Sequence, residues 1–105
     1  ILMGFNIDLN KIALELDFDL EDVEMLMDVF LETANENLNK MEIAIENNNL
    51  DDIYKSAHSI KGSSGTLTLN NIYEISAFIE DSARSSIKID YKSKFIELKN
   101  LINLL

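Results

Sequence analysis

The chain carries one histidine, His58, and no cysteine, so thiol nucleophiles are absent and there is a single imidazole. A catalytic triad for acyl transfer, or a zinc site of histidines and thiolates, needs partners that this sequence does not supply. A neutral imidazole near pH 7 can instead attack phosphorus with its free lone pair, and ammonium groups beside it can receive the phosphoryl oxygens. Lys55 and Lys61 stand three residues before and after His58, the spacing at which residues are neighbours on a helix surface. The expected surroundings of the ring are therefore locally positive.

On a helical wheel of about 100° per residue with His58 at zero, Ile53, Ala57, Ile60, Ser64 and Leu67 centre near about 220°, so they form the buried stripe and His58 faces outward. Asp51, Tyr54, Lys55, Lys61, Gly62 and Gly65 lie within about 60° of it. A glycine inside a helix costs about 0.8–1 kcal/mol relative to alanine. On the histidine face, packing against sister helices is not the expected reason for either glycine. A bare surface would let another protein's loop, or a phosphoryl group, approach the ring. The alternative for Gly65 is a helix stop; Leu67 continuing the stripe counts against it.

The elements that hold this face are all helical. There is no proline, there are three glycines, and apolar residues recur at spacings of three and four with no clean alternation. Asp8 caps a short first helix with Leu9, Ile12, Ala13 and Leu16 on one side, ending near Asp17. Asp19, with Phe18 and Val23 at the staple positions, opens a second helix whose stripe of Val23, Leu26, Met27, Phe30, Ala34, Leu38, Met41 and Ile45 runs for about 27 residues, or about 40 Å. Asn49 caps the helix that bears His58. Asn70 or Asn71 is expected to cap a fourth helix with a stripe of Ile72, Ile75, Ile79 and Ala83, loosened at Ser85 and Ser86. Asp90 opens a fifth helix that buries Tyr91, Phe95, Leu98, Ile102 and Leu105. Short connections make neighbours antiparallel, so the expected fold is all-α: an antiparallel four-helix bundle with a short N-terminal covering helix, forming one domain over residues 1–105.

Nineteen acidic against nine basic residues give a net charge of −10, which repels nucleic-acid phosphates and anionic membranes. Residues 1–52 hold fourteen acids against Lys11 and Lys40, a net of −12, while residues 53–105 hold five acids against seven bases, a net of +2. No apolar run approaches the ~20 residues of a membrane span and no signal-peptide pattern precedes the first acid, so a cytoplasmic location is expected. The opening Ile1, Leu2, Met3 and Gly4 read as an added segment or as a cut from a longer protein.

The stretch AHSIKGSSGTLTLNNIYEISAFIE, residues 57–80, resembles the histidine-containing phosphotransfer (HPt) domains of bacterial two-component signalling. Ala57, His58, Ile60, Lys61, Gly62, Ser63, Ser64 and Gly65 match the family's histidine-lysine-glycine run, and Ile72, Ile75, Ile79 and Glu80 match the spacing of the next helix. The resemblance implies a phosphoryl carrier rather than a complete enzyme. It makes His58 the phosphorylated residue, Lys61 a support for the phosphoryl group and Gly62 a cleared point on the docking surface, to which the wheel adds Tyr54, Lys55 and Gly65 as docking candidates. Glu80 matches the position whose side chain bonds the imidazole; a surface acid, or a simple partner for Lys61, remains open for it. Thr68 and Leu69 stand where the family often has glycine followed by Ala, Leu or Phe, which puts the turn between the third and fourth helices in question.

The partners implied are receiver domains of response regulators. They would supply the magnesium, so no metal or other cofactor is expected on this chain, which is expected to be a monomer. The segment FLETANENLNKME with AHSIKG also resembles the phosphotransfer domain of chemotaxis histidine kinases, in which a kinase domain of the same polypeptide loads the histidine from ATP. An alternative of another class is a helical interaction module in which His58 is never phosphorylated.

Overall fold

The computed structural model describes residues 5–105; the opening segment at residues 1–4 lies outside the described residues. Five helices follow one another and account for all regular structure among the described residues: α1 (Leu9–Leu16), α2 (Leu20–Glu46), α3 (Leu50–Thr66), α4 (Asn70–Arg84) and α5 (Tyr91–Asn103). Packing runs α2 to α3, α3 to α4, α4 to α5 and α5 back to α2, which closes a four-helix bundle, and α1 lies on α2. No helix among the described residues is long and apolar enough to cross a membrane.

Three of the helix starts are set by local side chains. Asp8 accepts from the Lys11 amide, Asn49 from that of Asp52 and Asp90 from that of Ser93, at 3.0–3.2 Å, and each bond satisfies a donor that the first turn would leave orphaned. Asp19 occupies the cap of α2 in extended conformation but makes no side-chain cap bond. At α4 the expectation fails: neither Asn70 nor Asn71 caps. Leu69 holds that position, buried at 8% exposure, because the residue that follows the left-handed Thr68 becomes the cap, as Asn49 does after Asn48, and here it is a leucine.

The turns share one device. Asp17, Asn48, Thr68 and Ser86 all have φ between 52° and 57°, and the next amide donates back to a carbonyl in the last turn: Phe18 to Ala13, Asn49 to Ala44, Leu69 to Ser64 and Ile87 to Ser82, at 2.8–2.9 Å. This is the Schellman closure that usually employs glycine. Thr68 therefore takes the left-handed conformation that a glycine adopts freely, and the departure at this turn leaves its path intact.

The interior is one apolar cluster. Val23, Met27, Phe30, Ala34, Leu38 and Met41 of α2 meet Ile53, Ala57 and Ile60 of α3, Ile72 and Ile79 of α4, and Phe95, Leu98 and Ile102 of α5. Tyr91 and Leu105, expected in the core, are only half-buried, since they lie at the first turn of α5 and beyond its end. Among the described residues, five polar ones share the interior, including Glu80, fully buried, and Ser76, whose hydroxyl has no partner there.

A β-branched residue in the left-handed region costs about 1–2 kcal/mol, part of which glycine would return as lost chain entropy. Thr68→Gly is therefore expected to stabilise the fold by roughly 0.5–1 kcal/mol, read as a higher urea midpoint at unchanged slope. A lower midpoint would show that Thr68 is not strained.

Candidate functional site

His58 lies in the middle of α3 with its side chain 60% exposed, and across the α3–α4 groove Glu80 is 0% exposed. The two meet at 2.6 Å between Nδ1 and Oε2. Burial is the strongest influence on the Glu80 carboxyl and pushes it up, but Lys61 and His58 together outweigh it and hold the group below its ordinary value. An ionised carboxylate can only accept a hydrogen bond. Nδ1 must then carry the proton, which leaves the lone pair on Nε2, the more distant nitrogen of an outward-facing ring.

Glu80 is thus neither a surface acid nor a partner of Lys61 alone. Arg84, one turn further along α4, donates to the same Oε2 at 2.8 Å. Lys61 Nζ lies 2.6 Å from the other carboxylate oxygen, Oε1. The contact with Glu80 is also the main reason that the Lys61 ammonium is pushed upward. Lys61 is consequently not the independent surface cation that its spacing suggested, because a buried carboxylate depends on it in part.

The remaining candidates separate. Tyr54 is half-buried, with its ring tilted at 45° and 6.1 Å from that of His58. The Arg84 guanidinium lies 4.9 Å from the Tyr54 ring centre, within cation–π range. Lys55 turns to Asp51 at 2.9 Å, with both side chains about two-thirds exposed, a pair that adds little to stability. Gly62 opens onto free space: a Cβ there would meet no other side chain within 4 Å.

Gly65 corrects the sequence expectation. It is not a helix stop, since α3 runs on to Thr66, and packing against a sister helix does explain it. A Cβ at Gly65 would come within 3.1 Å of Tyr73 Cδ2 and 3.3 Å of Cε2, so the missing side chain gives the α4 ring its place against α3. A wheel drawn on one helix cannot show this. Arg84 is the site residue that sequence reasoning missed. Its signal was present as an i, i+4 acid–base pair with Glu80.

On the flanking helices, Leu14 of α1 and Leu20, Met25, Val29 and Ile43 of α2 remain exposed, which distinguishes them from the core stripe. Asn37 of α2 donates to the Ser59 hydroxyl at 3.2 Å, fixing α2 beside the residue that follows His58.

A family model described as the Hpt domain matches residues 25–105, which takes in α3, α4, α5 and most of α2. No curated protein and no solved structure matched the chain.

A carboxyl held below its ordinary value stabilises the fold above about pH 4.3, and that contribution is lost as pH falls through the folded value. Glu80→Gln is expected to cost roughly 1–3 kcal/mol at pH 7, and the difference from the unsubstituted chain should shrink below about pH 4. Urea titrations at pH 7 and pH 3 measure it; an undiminished difference at low pH would mean that Glu80 is not ionised in the fold.

Proposed function

The chain belongs to the Hpt domain family, which serves histidine phosphotransfer in two-component signalling with response-regulator receiver domains, and we propose that His58 is its phosphoryl carrier. In this reading His58 takes a phosphoryl group from the aspartyl phosphate of one receiver and passes it to the aspartate of another. The observation that carries it is the 2.6 Å contact of His58 Nδ1 with the buried Glu80 carboxylate, which leaves an outward-facing ring with its lone pair on Nε2.

The step balances without a base. Nε2 forms a bond to phosphorus as the bond from phosphorus to the aspartyl oxygen breaks, and the electron pair leaves with the receiver's carboxylate. The product ring keeps its Nδ1 proton and becomes positively charged, facing a carboxylate that stabilises that charge. When a second aspartate attacks phosphorus, the electron pair of the N–P bond returns to Nε2. No proton enters or leaves the ring in either half.

Among the described residues, the carboxylate that contacts the ring is already engaged by His58, Lys61 and Arg84. This supports a magnesium ion brought by the receiver rather than held here. The open surface at Gly62 admits the receiver's loops to the ring, and the exposed apolar residues of α1 and α2 extend the docking face.

Incubation with a phosphorylated receiver tests the assignment. An acid-labile, base-stable label is expected on the unsubstituted chain and absent from His58→Gln; a label that persists in His58→Gln would overturn it. Gly62→Gln places a side chain in open space and should preserve helix content and stability while slowing transfer at least tenfold. Transfer at the original rate would remove Gly62 from the docking surface.

A further inference from the structure

Glu80 is approached by two cations, one from each helix of the groove. Arg84 donates with good geometry to Oε2 at 2.8 Å, and its guanidinium rests against the Tyr54 ring. Arg84 also ends α4, where a cation is favoured by the helix dipole. Lys61 touches Oε1 at 2.6 Å, with its side chain 26% exposed against 54% for that of Arg84. Lys61, three residues from His58 on the same helix, is the cation that neighbours a group on the ring, whereas Arg84 lies on the helix of Glu80 itself. A phosphoryl group on Nε2 would bring two negative charges to within a few ångströms of Lys61. Lys61 cannot serve them fully while it is tied to Glu80, and its departure would leave Oε1 of a buried carboxylate without a partner, the ring charge facing only Oε2.

We propose that Arg84 is a positioning residue that keeps Glu80 compensated when Lys61 swings from its carboxylate to the phosphoryl group on His58. The planar fork of arginine can take both oxygens of one carboxylate, so Arg84 can cover Oε1 as Lys61 vacates it. Tyr54 acts behind it by holding the guanidinium over the groove. The exchange conserves charge and hydrogen-bonding capacity and moves no proton. It rests on the phosphotransfer reading above, with Lys61 as the support for the phosphoryl group.

The test is a kinetic cycle with one receiver, using Arg84→Met, Lys61→Met and the double variant, with helix content checked by circular dichroism. Arg84→Met is expected to slow labelling of His58 about tenfold. Adding Lys61→Met should then slow it little further, because Lys61 is no longer free to leave Glu80. Arg84→Lys, which keeps the charge and is the variant to use if Arg84→Met does not fold, should recover part of the rate. A second readout follows the ¹⁵N signal of the Lys61 ammonium: it is expected to shift on phosphorylation of the unsubstituted chain and to stay fixed in the slowed Arg84 variant. Independent, multiplicative losses from Arg84 and Lys61, or an unmoved ammonium signal on phosphorylation of the unsubstituted chain, would overturn the exchange while leaving the carrier assignment intact. An unsubstituted chain that takes no label from any phosphorylated receiver would instead defeat the carrier assignment itself.

Discussion

A carboxylate without solvent exposure organises this bundle. Ionised Glu80 would be prohibitively unfavourable in an apolar groove if left alone, and its three contacts come from two helices: His58 and Lys61 from α3, Arg84 from its own α4. The relative placement of α3 and α4 is thereby tied to one charge. Sliding either helix by a turn would separate the carboxylate from the imidazole and leave a buried ion unpaired. The close approach of the two helices at Gly65 and Tyr73 serves the same register from the other end of the groove. Stability and the orientation of the imidazole thus rest on the same few atoms.

What could be read from the sequence is what depends on one helix at a time. Asp8, Asn49 and Asp90 were visible as caps because the bond each makes reaches only three residues ahead. The stripe through Ile53, Ala57, Ile60, Ser64 and Leu67 gave the outward placement of His58, since 3.6-residue periodicity is an intrinsic property of the helix. The family likeness supplied the expectation at Glu80, which a wheel could not, because burial of an acid is decided by the helix opposite. The same blindness explains the other misses. Gly65 looked like a cleared surface until the Tyr73 ring was placed on it, and Arg84 was not singled out at all. The start of α4 was misjudged because a buried leucine, rather than an asparagine, follows the left-handed Thr68.

The charge asymmetry also acquires a location. The acid-rich half is α1, α2 and the first turn of α3, and the exposed Leu14, Met25 and Val29 lie within it. The half with a small excess of bases carries the carboxylate-centred cluster. Few of its cations are free near His58: Lys55 is engaged by Asp51, and Lys61 and Arg84 are engaged by Glu80. The positive surroundings expected from spacing alone are therefore largely neutralised in the resting domain. They become available only as partners are exchanged, which is a reason for one carboxylate to be attended by more than one cation.

The proton held between His58 and Glu80 has a wider implication for information flow. A centre that neither gains nor sheds a proton on being charged or discharged contains nothing that ratchets it toward one outcome. On the carrier reading proposed above, such a domain would work as a two-way junction. Net traffic through it follows the relative abundance of its loaded and empty correspondents and how strongly each retains its cargo, so direction belongs to the network and not to this molecule.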